Sequence, residues 1–233
     1  MKFDQKTGST NSAKPDMAWF REAKFGMFIH WGIYSVAGGI WNGESIPGHS
    51  EWMVHKAHIP FADYSRLAER FNPDAFDADQ WIRLACEAGM KYLVVTAKHH
   101  DGFAMFKSFH PYNVVDATPF RRDPLQEIAD ACHRHGVRFG LYYSQDLDWE
   151  APGGSWKWEE SGPDNEFIPV APERFAAYLE AKVKPQLREL LTNYGPVSLI
   201  WFDVPGSITK AQSEDLCDFV HSLQKDCLVS GRV

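Results

Sequence analysis

The stretch "YLVVTAKHHDGF", residues 92–103, decides how the rest of the chain is read. It opens on an apolar, partly β-branched run from Tyr92 to Ala97. A continuous run of this kind suits a strand buried on both faces, as in a parallel sheet, rather than a half-exposed strand with alternating character. It closes on Lys98, His99, His100 and Asp101. A surface turn needs no such crowd of polar groups. Polar side chains at the carboxyl end of a buried strand are how α/β sheets and barrels furnish a site.

Four similar runs lie elsewhere: residues 27–31 (MFIHW), 138–144 (RFGLYYS), 197–202 (VSLIWF) and 227–230 (CLVS). Helical patterns separate them. Over 77–89, Asp77 reads as an N-cap and Gly89 as a stop, with Trp81, Leu84, Ala85 and Ala88 on one stripe. Over 123–136, Asp123 caps, Pro124 takes the first helical position and Gly136 ends the helix. Its stripe is Leu125, Ile128, Ala129 and Cys132. Residues 172–194 predict a longer helix bent at Pro185, and 211–225 carry Leu216, Phe219, Val220 and Leu223.

Repeated βα units predict a parallel sheet with right-handed crossovers. An open doubly wound sheet and a (β/α)8 barrel both fit. No GxGxxG follows the first strand, so the dinucleotide form of the open sheet loses its main support. Long loops at 32–60 and 145–171, rich in Gly, Pro and Trp, favour a TIM-like barrel. Such a barrel takes ~250 residues. Here about five strand candidates occupy 233 residues. The expectation is a polar tail at 1–18 and one domain at 19–233, forming the N-terminal part of an incomplete barrel.

Composition narrows the function. With 44% hydrophobic and 24% charged residues the chain has an ordinary globular balance. A net charge of −7 argues against nucleic acid as a partner, because neutralising phosphates takes clustered Lys and Arg. No apolar run approaches the ~20 residues of a membrane span. The first sixteen residues lack the apolar core of a signal peptide, which favours the cytoplasm while leaving the compartment open. Cys86, Cys132, Cys217 and Cys227 show neither CxxC nor finger spacing and read as buried thiols. Nine Trp and sixteen Phe suit either a heavy core or a carbohydrate site.

The strand ends form a series: His30-Trp31, Lys98 to Asp101, Tyr142-Tyr143-Ser144, Trp201-Phe202-Asp203, and Arg232. In a barrel they converge on one mouth. Asp203 ends the apolar run "VSLIWFD". A carboxylate there needs hydrogen-bond or cationic partners, or its pKa rises. Arg232 is the candidate cation. A carboxylate so held beside aromatic rings suits attack at an anomeric carbon. His30, His99, His100 and Arg232 would bond to sugar hydroxyls, and Trp201 and Trp52 would cover the apolar face of the ring. The chemical rival is a metal held by His30, His99, His100 and Asp203. Against it, adjacent histidines tend to point in different directions, and no HExxH is present. No metal or other cofactor is expected.

The segments "WFREAKFGMFIHWGIYSV", "EWMVHKAHIPFADYSRLAERFNPDAFDADQW", "AGMKYLVVTAKHHDGFAMFKS", "FGLYYSQDLDW" and "LIWFDV" closely resemble the catalytic domain of the α-L-fucosidases, the retaining glycoside hydrolases of family 29. The resemblance runs from about Trp19 to Arg232. It implies a (β/α)8-like barrel, usually followed by a β-sandwich, that removes terminal α-linked L-fucose through a covalent fucosyl-enzyme. It also implies Asp203 as nucleophile. His30, His99, His100, Trp201, Tyr143 and Arg232 match sugar-binding positions, and Glu51-Trp52 match the acidic-aromatic pair of the first long loop. Two departures stand out. Val204 replaces the family's usual Gly after the nucleophile. The family's acid/base carboxylate lies beyond the fifth strand, so no residue here is expected to match it. The implied function is a retaining exo-glycosidase acting on fucosylated glycans. The alternatives are a fucose-binding but catalytically impaired protein and a metal-dependent barrel hydrolase. An open sheet edge invites pairing, so self-association or a second polypeptide is expected to complete the barrel.

Overall fold

Strands follow the five apolar runs to within two residues at either end. The computed structural model describes residues 15–157 and 169–233. Residues 1–14 of the expected tail and 158–168 of the second long loop lie outside the described residues. The elements are α1 (Ala18–Ala23), β1 (Gly26–Ile29), α2 (Tyr34–Ala37), the hairpin β2 (Ile40–Trp41) and β3 (Glu44–Ser45), α3 (Met53–Lys56) and α4 (Phe61–Ser65). Then come α5 (Ala78–Glu87), β4 (Tyr92–Lys98), α6 (Val114–Ala117), α7 (Pro124–His135), β5 (Arg138–Tyr143), α8 (Pro172–Tyr178), α9 (Lys184–Asn193), β6 (Leu199–Phe202), α10 (Lys210–Leu223) and β7 (Leu228–Val229).

Five strands form one parallel sheet in the order β1-β4-β5-β6-β7, the pattern of an incomplete (β/α)8 barrel. Helices return the chain between successive strands. Their ends are where capping chemistry puts them: Asp77 accepts from Gln80 N–H, Asp123 from Gln126 N–H, and Gly136 takes the left-handed conformation at φ 67° that a glycine allows without strain. A capping box of Thr209 and Gln212 starts α10.

The register sets two faces. Phe28, Val94, Gly140, Leu199 and Leu228 lie in one row across the sheet. Val94, Tyr142, Leu199 and Leu228 form a small inner core, with Trp19, Phe20, Tyr92 and Trp201 packed on it. The other face, carrying Leu93, Val95, Phe139, Leu141, Tyr143, Ile200 and Phe202, joins the large core beneath the helices. A bulge in β4 between Thr96 and Lys98 changes the phase, so that Lys98 pairs with Tyr143 rather than continuing the Val94–Thr96 row.

Three local expectations are corrected. On α5 the buried residues are Ala78, Ile82 and Ala85, whereas Leu84 is 60% exposed and Ala88 is exposed. Trp81 packs sideways on Trp31 and Phe76, at 5.1 and 4.9 Å between rings, and Ile82 fills the core instead. In place of a bend at Pro185 itself, the helix expected over 172–194 carries a widened π turn over Leu179–Val183 between α8 and α9, just before that proline. A proline cannot donate to the carbonyl four residues back and clashes with it, and a wider turn absorbs both effects. Cys132 and Cys227 are buried free thiols, their pKa values pushed up to about 12 by burial, but Cys86 is exposed and Cys217 half-buried. No helix among the described residues is long and apolar enough to cross a membrane.

Candidate active site

The four polar residues that end β4 go to different places. Lys98 faces the helix layer. Its Nζ donates to Asp148 at 2.9 Å and to the Tyr178 hydroxyl at 3.0 Å. Full burial lowers its pKa to about 8, against the opposing pull of Asp148. Asp101 is buried too. It accepts from the Tyr64 hydroxyl at 2.8 Å and from Phe103 N–H at 3.1 Å, and desolvation raises its pKa to about 6. Both are structural. His99 and His100 turn to the mouth of the sheet.

β1 is locked to β4 at this end. Thr96 Oγ1 accepts from Trp31 N–H at 2.8 Å and donates to Trp31 C=O at 2.6 Å. That bond pair holds His30, the preceding residue, beside His99, with ring centroids 5.5 Å apart. His99 also stacks flat on Tyr142 at 5.1 Å. His100 lies 4.1 Å from His99, ring to ring, so the adjacent histidines share one site despite the expectation that they would diverge. The bulge and the turn that begins at His100 remove the strand alternation that would separate them.

The tautomer of His100 follows from its partners. Its Nδ1 lies 2.7 Å from Ser144 Oγ, and Ser144 donates its only hydroxyl proton to Leu147 C=O at 2.8 Å. Ser144 must therefore accept, which places the His100 proton on Nδ1. Burial first, then Lys98, holds His100 well below its usual pKa, so the ring is neutral. Its Nε2 is then a bare acceptor, buried and without a partner among the described residues. His99 is also held well below its usual pKa, by burial and then by its neighbours His100 and His30, and its Nδ1 lacks a partner among the described residues. For His30 burial lowers the pKa, while Glu51 and Asp203 act in the opposite direction.

Asp203 follows β6. Its Oδ2 accepts from the Tyr142 hydroxyl at 2.9 Å, and its Oδ1 pairs with Arg232. The Asp203 side chain is 15% exposed. Aromatic rings complete the surround: Phe28 lies 4.7 Å from His30 and 5.3 Å from Trp201. Trp52 meets His100 edge-on at 4.7 Å, and also touches Trp149 and Trp156. Glu51, in the short turn Ser50–Trp52, offers a carboxylate oxygen within 4.8 Å of donor nitrogens on His30 and His99.

Of the expected residues, His30, Glu51, Trp52, His99, His100, Trp201, Asp203 and Arg232 are linked by these contacts into one cluster. Tyr143 is not among them. Its side chain is buried on the opposite face of β5, and its hydroxyl donates to Gln186 of α9 at 2.7 Å. Tyr142 takes the place assigned to it. Two further residues escaped sequence reasoning. Phe28 could have been found, since it stands two positions before His30 and so shares its face. Gln145, which accepts from Asp203 N–H, carries no local signal.

The metal set weighed from the sequence does not form: Asp203 is held by Tyr142 and Arg232, and His100 Nδ1 by Ser144. Among the described residues the geometry capable of holding a cation is His30, Glu51 and His99. Surface clefts of about 610 and 710 Å3 lie elsewhere and contain no histidine. The cluster's chemistry is that of a carboxylate oriented by a phenol and an arginine, beside neutral imidazoles and flat apolar rings. It suits attack on an electrophilic carbon of a ligand rich in hydroxyls.

Comparison with known proteins agrees. Residues 1–233 match the model of the family described as Alpha-L-fucosidase. The mouse (Mus musculus) tissue alpha-L-fucosidase is 34% identical over 200 residues, covering 82% of this chain and 41% of its own length. The Homo sapiens plasma alpha-L-fucosidase is 35% identical over 199 residues, covering 81% of this chain and 39% of its own. The chain thus spans about two fifths of these curated relatives. The structure of alpha-L-fucosidase AlfC from Lactobacillus casei in complex with its α-L-fucose product superposes with a TM-score of 0.84 at 46% identity, over 93% of this chain and 70% of that one. A GH29 alpha-L-fucosidase from Bacteroides thetaiotaomicron gives 0.81 at 32% identity, over 98% of this chain and 51% of that one.

Proposed function

The chain belongs to the alpha-L-fucosidase family, and on that premise we propose that it is part of a retaining exo-glycosidase that releases terminal α-linked L-fucose, with Asp203 as nucleophile. The observation that carries this reading is the fixing of Asp203 at the sheet mouth between the Tyr142 hydroxyl and Arg232. In the first step an Asp203 oxygen bonds to the anomeric carbon. The glycosidic bond breaks, and the leaving oxygen takes a proton from a carboxylic acid about 5–5.5 Å from the nucleophile. Water then cleaves the fucosyl ester with the reverse proton transfer. The sugar hydroxyls bond to His30, His99 and His100, where the bare His100 Nε2 accepts. Glu51 and Arg232 add further polar contacts, and Trp201 and Trp52 cover the apolar side of the ring. The outer strands β1 and β7 present open edges among the described residues, and further β-structure pairs with them to close the barrel.

AlfC has been seen as an aspartate-to-alanine mutant in complex with the substrate 4-nitrophenyl-α-L-fucopyranoside. An aryl fucoside is also the right probe here, since a good leaving group needs little proton donation and isolates the Asp203 step. Turnover should fall on the order of 10³-fold or more in Asp203→Ala. Equal rates in the two proteins would remove Asp203 as nucleophile. Fucose affinity with no turnover in the wild type would favour the binding-only reading. The grouping of His30, Glu51 and His99 keeps a metal hydrolase as the second reading, and loss of turnover on adding a chelator would select it.

A further inference from the structure

The residue after Asp203 is in an unfavourable conformation. Val204 has φ 48°, in the left-handed region that a β-branched side chain enters only under constraint. Something must hold the turn, and the loop that follows β5 supplies it. Gln145 is fully buried, and its two amide atoms are both used. Oε1 accepts from Asp203 N–H at 3.0 Å, and Nε2 donates to Arg232 C=O at 2.9 Å. A single side chain thus ties the backbone of the carboxylate to the backbone of its arginine. The next residue, Asp146, is fully buried too. Its Oδ2 accepts from three consecutive N–H groups, those of Gly206, Ser207 and Ile208, at 2.9, 2.8 and 2.8 Å. Its Oδ1 accepts from Ser155 Oγ, which lies 2.8 Å from Ser207 Oγ.

We propose that Gln145 and Asp146 are positioning residues for the Asp203 nucleophile. Asp146 gathers the chain beyond the strained turn, and Gln145 sets the spacing between Asp203 and Arg232 from the backbone side. Both side chains are fully buried, with their polar atoms bonded to protein groups. The inference rests on Asp203 being the nucleophile. A misplacement of about 1 Å at a reacting atom can lower a rate on the order of 10²-fold, so a pair that fixes both partners of an ion pair bears on the rate rather than on sugar affinity.

A 2-deoxy-2-fluoro-L-fucosyl fluoride tests this on the full chain. The carboxylate oxygen of Asp203 bonds to C1, the C–F bond breaks, and fluoride leaves with its electron pair, so no proton donor is required. Mass spectrometry follows the ester at Asp203 against time and probe concentration. In Gln145→Met the limiting labelling rate constant should fall on the order of 10- to 100-fold. The half-saturating concentration should stay within about twofold, because no sugar contact is lost. Gln145→Asn keeps the amide but is one methylene too short for both partners, and the same outcome is expected. Asp146→Asn retains one oxygen for the three N–H groups and should slow labelling less than Asp146→Ala. A merely structural role would lower the fraction of molecules labelled and leave the rate constant of the rest unchanged; that result overturns the proposal. A wild type that labels elsewhere, or not at all, overturns the nucleophile assignment on which it rests.

Discussion

Tyr142 and Tyr143 are neighbours of identical chemistry, yet their hydroxyls serve opposite faces of one strand. Tyr142 donates to Asp203 and Tyr143 to Gln186. Their phenylalanine variants should therefore fail differently. A hydrogen bond to a charged group is worth about 1.5–3 kcal/mol, so Tyr142→Phe should lower kcat/KM for an aryl α-L-fucoside roughly 10- to 100-fold with little change in urea midpoint. Tyr143→Phe strands a buried amide oxygen, which costs about 1–3 kcal/mol of stability. Its turnover should stay near wild type. Asp101 gives a test in pH. Its folded pKa of about 6 lies above the usual 3.8. The folded state therefore holds the proton more tightly than the unfolded chain does, and this contribution fades as pH rises through about 4 to 6. Between pH 4 and 7 the wild type should lose on the order of 3 kcal/mol relative to Asp101→Asn. Urea titrations at the two pH values measure this, and a constant gap would refute it. The buried neutral histidines act in the opposite sense. Their folded pKa values lie below the usual 6.5, so stability from His99 and His100 is lost as pH falls through that value.

At the level of elements, single departures from regularity do much of the placing. The β4 bulge sends Lys98 outward to Asp148 and leaves His99 facing the mouth. The π turn before Pro185 lets α8 and α9 run on as one continuous element over the sheet. The turn after β6 has the conformation a glycine would take, but holds Val204. A left-handed L-residue costs about 1–2 kcal/mol, and glycine gives back part of that in unfolded-state entropy. Val204→Gly should accordingly be as stable as the wild type, or more stable by up to about 1 kcal/mol, judged by urea midpoint. A clear loss would show that Val204 packing outweighs the strain. The stripe on α5 is a caution about periodicity. The apolar positions mark an amphipathic helix correctly, but Trp81 is drawn aside by Trp31 and Phe76, and the face that packs is rotated toward Ile82.

For the molecule as a whole, β1 pairs only with β4 and β7 only with β6 among the described residues, and Phe28 on the inner face is 41% exposed. Unpaired strand edges beside exposed apolar side chains favour association. The chain on its own should sediment as a species heavier than one copy; a monodisperse monomer at micromolar concentration would refute this. The sequence by itself determined the five strands of the parallel sheet, the caps at Asp77, Asp123 and Gly136, the parallel βα order and the polar residues that end those strands, but not the β2–β3 hairpin. These depend on hydrophobic runs and capping chemistry, which act over a few residues and leave a local trace. Only the tertiary structure decided which tyrosine meets Asp203, which of the four polar residues at the end of β4 enter the site, and that Gln145 joins Asp203 to Arg232. Those outcomes depend on how each strand's pleat is phased against its neighbour, and on contacts between residues tens of positions apart. Neither is written into any short stretch of chain.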